Sequence, residues 1–158
     1  MFSIHFMKQS IVVAGILIKN RKVLLLKRRD DEDIYPGEWE LPSGKVEFKE
    51  DPNKALIREF KEETNLNVKI IKPLNVHHFY IEKENRHAVQ INYLVRLVGK
   101  ESIKLSEHSE FLWLPLSKID GFKTFGDIKK AIKLAEHSMR ESGSLVNPAS
   151  LRRSDEYV

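Results

Sequence analysis

Residues 44–66, GKVEFKEDPNKALIREFKEETNL, constrain this chain more than any other stretch, because they spell out a short helix marked at both ends and carrying Glu59, Glu62 and Glu63 on one side. Asp51 followed by Pro52 is an N-cap with proline in the first helical position, where a missing N–H costs nothing and φ is already correct. Ala55, Leu56 and Phe60 supply apolar contacts away from the glutamates, and Asn65 followed by Leu66 suits a left-handed C-cap with an apolar residue beyond it. At about 100° per residue the three carboxylates share a narrow arc, and like charges four apart destabilise a bare helix by roughly 0.2–0.5 kcal/mol. The arc calls for a cation. Ahead of it, Trp39-Glu40-Leu41-Pro42-Ser43-Gly44 is punctuated by Pro and Gly, so the helix is entered from a constrained loop.

Hard divalent cations such as Mg²⁺ or Mn²⁺ take carboxylate, carbonyl and water oxygens and keep positions open for the phosphate oxygens of a substrate. A glutamate cluster without Cys or paired His therefore belongs to phosphate chemistry before zinc chemistry. Bound metal holds a diphosphate, withdraws charge from it and lowers the pKa of a coordinated water that attacks phosphorus. The plainer alternative is a solvated helix face whose charge is offset by Lys54, Arg58 and Lys61.

The same residues resemble the Nudix box: Gly, five residues, Glu, seven residues, then Arg-Glu-apolar-x-Glu-Glu-x-Gly-apolar. Gly44, Glu50, Arg58, Glu59, Phe60, Glu62, Glu63 and Leu66 meet that pattern at its spacing, and Lys45-Val46-Glu47 is the usual filling after the glycine. Asn65 replaces the late glycine, and is the residue next best able to adopt positive φ. Ser43 stands where many members have a second glycine. The resemblance implies that Glu62 and Glu63 are the main metal ligands, that the Gly44 carbonyl is a further ligand, and that Glu59 is a ligand or the general base. It also implies that Arg58 orients a carboxylate and that Glu47 and Glu50 support the ligands from behind. Mg²⁺ is the implied cofactor, with Mn²⁺ as a substitute.

Elsewhere the pattern is one of strands. Residues 11–18, IVVAGILI, are too few to span a bilayer, lack a small-residue cleavage site, and run through Lys19-Asn20-Arg21-Lys22 into Val23-Leu24-Leu25-Leu26. Two strands joined by a tight polar turn explain them. Residues 74–82 and 87–98 read as a hairpin about Lys83-Glu84-Asn85-Arg86, with Val89, Ile91, Tyr93 and Val95 on one face, and a shorter strand covers 110–116. Ile128, Ala131, Ile132, Ala135 and Met139 recur at helical spacing with Lys129, Lys130 and Lys133 outward, so a second helix packs on the sheet. This order resembles the Nudix fold, an α/β/α sandwich with a mixed β-sheet between helices.

Substrate contacts are less sharply written. Arg28 and Arg29, at the end of the second strand, suit phosphate oxygens, or else balance the Asp30-Asp31-Glu32-Asp33 run. Phe79, Tyr80 or Phe125 are candidates for stacking on a base, against the commoner core role of such residues. By resemblance to nucleoside triphosphate members, Asp127 at the start of the last helix is a candidate for base recognition, against the commoner reading of such a residue as an N-cap. Glu107-His108-Ser109-Glu110-Phe111-Leu112-Trp113 resembles the segment before a late strand in the family, where Glu107 or Glu110 supplies another ligand or a base, against the reading of exposed loop charge. His77, His78 and His108 show no metal-ligand spacing.

At 158 residues the chain buries about two-thirds of its unfolded surface as one core. The expected division is an extension over 1–8, a Nudix domain over 9–141 and a tail over 142–158, with residues 1–6 an extension or upstream start before Met7. The polar tail, holding Arg152 and Arg153, is expected to be mobile or to dock on a partner subunit in a homodimer. Absence of cysteine allows a reducing, cytoplasmic setting. A net charge of +4, mixed in sign along the chain, helps attract polyphosphate without pointing to nucleic acid or membrane. The resulting expectation is a hydrolase of the diphosphate linkage in a nucleoside diphosphate derivative, with nucleoside triphosphates or oxidised nucleotides as the leading substrates. ADP-ribose, dinucleoside polyphosphates and capped RNA are the enzyme alternatives. A non-catalytic nucleotide-sensing or protein-binding module is the other class, which the retained glutamates argue against.

Overall fold

The two early apolar runs form β1 (Lys8–Lys19) and β2 (Lys22–Lys27) in the computed structural model, which describes residues 6–124 and 127–143. Asn20 and Arg21 link them with φ of 49° and 59°, the doubly positive pair that a type I′ hairpin turn demands. Only Ile18 and Lys19 of β1 pair with β2, opposite Val23 and Lys22. The fork beyond them is filled by two short strands: β3 (Trp39–Glu40) pairs with Leu26 and Lys27, and β4 (Ser43–Lys45) pairs with Val12, Val13 and Ala14.

α1 (Pro52–Thr64) follows β4, and its ends are those written in the sequence. Asp51 Oδ1 accepts from the backbone N–H groups of Asn53 and Lys54 at 2.7 and 3.3 Å. Asn65 closes the helix at φ 65°, its N–H donating to the Lys61 carbonyl at 3.0 Å, and Leu66 behind it is fully buried. Asn65 thus does the work of the glycine it replaces.

β5 (Asn67–Ile81) and β6 (Arg86–Val98) form the long hairpin, with a 3₁₀ turn at Glu82–Glu84 and Asn85 left-handed. β6 runs parallel to β1 from Lys8 through Leu17, and β7 (Glu110–Pro115) runs antiparallel along β2. One parallel pair among antiparallel ones makes the seven-stranded sheet mixed. α2 (Ile128–Glu141) closes the described chain.

Alternation along the strands explains the two layers. From β1 and β2, Val13, Leu17, Leu24 and Leu26 point to the α1 side and pack with Leu56, Phe60 and Leu66. Ala14, Ile16, Ile18, Val23 and Leu25 point the other way, onto Ile128, Ala131, Ile132 and Ala135 of α2. Gly15 interrupts the first row for a steric reason: a Cβ there would lie 2.3 Å from the Phe60 ring. The arrangement is the α/β/α sandwich expected.

Three details differ from the sequence expectation. β5 starts at Asn67, directly after α1, instead of at 74; its first half is hidden in the sequence because Ile71, Lys72 and Pro73 are all exposed and break the alternation. The register shifts between Ile70 and Lys72 and between Pro73 and Asn75, and β5 lies at the sheet edge, where bulges and proline are tolerated. β3 and β4 occupy what reads as constrained loop, and β7 ends at Pro115, with Leu116 opening a 3₁₀ turn. The expectations for Phe125 and for the tail beyond Gly143, Arg152 and Arg153 included, lie outside the described residues. Among the described residues no helix is long and apolar enough to cross a membrane.

Candidate active site

The β1–β2 fork holds β4 against the flank of α1. Gly44 pairs with Val13, a residue of the α1 layer, and therefore faces that helix. Glu59 lies directly over it: a Cβ on Gly44 would sit 2.0 Å from Glu59 Cδ and 2.4 Å from Oε1. Only glycine leaves this carboxylate where it is.

Arg58 binds the acidic side chains together. Its Nε and Nη2 hold both oxygens of Glu50 at 2.8 and 2.9 Å, while Nη1 donates to Glu59 Oε1 at 2.8 Å and to Glu62 Oε2 at 3.2 Å. Nη2 also reaches the Lys45 carbonyl at 3.2 Å, tying α1 to β4. The fork on Glu50 raises the Arg58 pKa and depresses that of Glu50. Glu47 is exposed, and its backbone N–H donates to Glu50 Oε1 at 3.3 Å. The cation required by the glutamate arc is thus supplied in part by the chain itself.

Glu63 is different. It is only 8% exposed and, among the described residues, accepts one hydrogen bond, from the Ser43 backbone N–H at 3.1 Å. Burial pushes its pKa well up, Glu40 adds to the rise, the Ser43 N–H opposes it, and Glu59 and Glu107 raise it further. Glu59 is also raised, by burial first, with Arg58 opposing.

Glu40, from β3, is tied on both sides. Arg28 Nη1 donates to it at 3.3 Å and His108 Nε2 at 2.8 Å. His108 and Glu107 sit on a segment pinned to the end of α1: Lys104 N–H donates to the Thr64 carbonyl, Asn65 Nδ2 to the Ser102 carbonyl and Ser106 Oγ to the Glu62 carbonyl. Gly44, Glu59, Glu63, Glu40, Glu107 and His108 share the wall of one cavity of about 690 Å³, a volume suited to a nucleotide-sized ligand.

Residues 9–135 match the family model of the NUDIX domain. The chain belongs to this family. An ADP-ribose pyrophosphatase of Methanocaldococcus jannaschii is 32% identical over 96 residues, 61% of this chain and 56% of that protein. An RNA pyrophosphohydrolase of Pelagibacter ubique is 29% identical over 140 residues, covering 75% of this chain and 87% of the relative. The crystal structure of the MutT protein from Methanosarcina mazei superposes with a TM-score of 0.70 at 28% identity, over 85% of this chain and 96% of that one. The match to the archaeal pyrophosphatase spans little more than half of its length.

In this NUDIX domain the box residues gather as follows. Glu59, Glu63 and Gly44 meet at the cavity, whereas Glu62 turns outward to Arg58 with its side chain 58% exposed. Among the described residues, no three His, Asp or Glu side chains approach closely enough to enclose an ion as they stand. The donor chemistry nevertheless fits a hard divalent cation: every group is a carboxylate or carbonyl oxygen, and Glu63 is buried beside other carboxylates with a single N–H for compensation.

Outside the box, Arg28 and Phe79 line the cavity. Arg28 is engaged by Glu32, Glu40 and the Ile34 carbonyl, while Arg29, away from the lining, forks onto Asp31 at 2.8–2.9 Å. The two guanidinium groups are thus engaged by different carboxylates, and of the pair Arg28 alone lines the cavity. Asp127 stands at the N-cap position of α2 without a side-chain cap bond. Glu107 lines the cavity, but Glu110 is exposed and bonded to Lys27 at 3.0 Å. Glu40 and His108 are members of the wall to which the sequence assigns no role; the traces are Glu40 in the constrained stretch before Gly44 and His108 beside Glu107.

Proposed function

We propose that this NUDIX domain hydrolyses the diphosphate linkage of a nucleoside diphosphate derivative with the help of Mg²⁺, Mn²⁺ serving as a substitute. The observation that carries the reading is Glu63, a buried carboxylate set beside Glu40, Glu59 and Glu107, whose one hydrogen-bond donor among the described residues is a backbone N–H. Such a group is stable as an anion only when a cation answers it. Glu59, Glu62, Glu63 and the Gly44 carbonyl are the residues that would hold the ion. A bound divalent cation would supply charge neutralisation of the diphosphate and acidification of water.

The chain's own residues have separate tasks. Glu50, held by two bonds, fixes the Arg58 fork, and Arg58 in turn fixes Glu59 and restrains Glu62. Glu59 and Glu107, both on the cavity wall, are the groups able to take a proton from an attacking water. The names of the relatives, an ADP-ribose pyrophosphatase and an RNA pyrophosphohydrolase, support diphosphate linkages as the target and differ in what the diphosphate carries. Absence of cysteine supports a cytoplasmic setting.

The test is a titration with Mg²⁺ and Mn²⁺ across a panel of nucleotide substrates with identification of products, wild type beside Glu63→Gln. The expected result is metal-dependent release of a nucleoside phosphate, reduced at least about a hundredfold in the variant. Equal rates in the two proteins would remove Glu63 from the metal site, and binding of nucleotide without turnover would make the chain a sensing module.

A further inference from the structure

The face of the β5–β6 hairpin turned away from the cavity carries two histidines outside the candidate active site. Alternation sends Phe79, Ile81, Arg86 and Gln90 to the cavity wall and leaves His78, Tyr80, His87 and Val89 behind it. Register sets His78 opposite Val89 and His87 opposite Tyr80, which makes the two histidines diagonal neighbours across the strands. Nine residues and a turn separate them along the chain, so no local spacing marks them.

Their facing nitrogens, His78 Nδ1 and His87 Nε2, are 3.1 Å apart, and the ring planes stand at 82° to one another. One of the two carries a hydrogen and the other accepts it, while each ring keeps a second nitrogen without a partner among the described residues. The donor ring can shift its hydrogen to that second nitrogen, and both facing lone pairs are then available at once. At a metal–nitrogen distance of about 2.0–2.1 Å, nitrogens 3.1 Å apart subtend about 95–100° at an ion, between the square and the tetrahedral arrangement. Carboxylates are missing from the surroundings. The Tyr80 hydroxyl is bonded to Asn85, and among the described residues no Asp or Glu joins the pair in a group of three.

We propose that His78 and His87 together chelate a borderline divalent cation of the Ni²⁺, Cu²⁺ and Zn²⁺ class, at a site separate from the oxygen-lined one. Two imidazole nitrogens without a carboxylate favour these ions over Mg²⁺ and Ca²⁺. Water completes the coordination on the open side, where His78 is exposed. An ion there ties β5 to β6 behind the cavity wall and stabilises the folded chain without entering the cavity. The site does not depend on whether the chain cleaves a diphosphate.

Calorimetric titration of the full chain with Ni²⁺, in excess Mg²⁺ so that carboxylate oxygens hold the harder ion, reads the site. One ion per chain is expected, with the saturable binding lost in His78→Ala and in His87→Ala. A chelate needs both rings, so the double variant is expected to bind no more weakly than either single one. His137→Ala, which removes the imidazole paired with Glu141 on α2, is expected to bind as the wild type does. In the wild type, Ni²⁺ is expected to broaden the ring NMR signals of His78 and His87 before those of the other histidines, which decides the matter even where a variant fails to fold. No saturable binding in the wild type, binding retained in either single variant, a further loss in the double variant, a loss in His137→Ala, or broadening centred on other histidines would each overturn the proposal.

Discussion

Glu59 covers the α-carbon of Gly44 so closely that a methyl group there would lie 2.0 Å from its carboxyl carbon. The glycine is required by a functional side chain and not by backbone conformation, since its φ is not positive. Gly44→Ala should therefore displace the flexible end of Glu59 and leave the fold nearly intact. The expected outcome is a fall in kcat/KM of about a hundredfold with Tm changed by only a few degrees. Steady-state kinetics beside thermal melting checks it, and an unaltered kcat/KM would show that the position of Glu59 does not matter.

Gly15→Ala is the contrasting case. Its new methyl group would meet the fully buried ring of Phe60 at 2.3 Å, with no flexible tail to move aside. Stability should drop by about 1–3 kcal/mol, while activity per folded molecule changes little. Urea titration gives the first quantity, and activity normalised to the folded fraction gives the second.

Arg58→Lys keeps the charge and loses the fork. A single ammonium cannot hold both oxygens of Glu50 and also bridge Glu59 to Glu62. A ten- to hundredfold loss of kcat/KM, on the order seen when a group supporting a ligand is removed, is expected at saturating Mg²⁺. A lysine variant of full activity would reduce Arg58 to a structural charge.

The raised carboxyl pKa values of Glu63 and Glu59 predict an unusual pH profile for the metal-free protein. Between the ordinary carboxylate value and the raised folded value, the native state binds more protons than the unfolded chain, so stability is greatest below this window and falls as pH rises through it. Glu50, depressed by Arg58, has the opposite sign, and its contribution is lost only as pH falls through its lower folded value. Mg²⁺ needs the ionised forms and should restore stability mainly at the upper end. Denaturant titrations from about pH 4.5 to 8, with chelator or Mg²⁺, test this. The fall should be shallower in Glu63→Gln; the same slope in both proteins would contradict the assignment.

Helix α1 was legible residue by residue because its signals are local. Caps, first-turn proline and the i, i+4 spacing of Glu59 and Glu63 all act within a turn or two, as do the alternation of β6 and the apolar stripe of α2. The bulged first half of β5 was hidden because Lys72 and Pro73, at its register shifts, read as loop until an edge position excuses them. β3 and β4 have too few residues to show a period; partners far along the chain define them.

Those partners also separate the glutamates by role. Spacing places Glu59, Glu62 and Glu63 on one arc, but it is β4, wedged into the β1–β2 fork, that packs Gly44 beneath Glu59, aims the Ser43 N–H at Glu63 and leaves Glu62 in solvent. Glu40 and His108 reach the same wall from residues 68 apart, and Gln90 is linked through Asn92 to Asn75 and His77 across two strands. Helical order is set by neighbours within a turn or two and can be read along the chain. Burial and bond direction depend on which distant strands meet, and these arise only when the sheet closes.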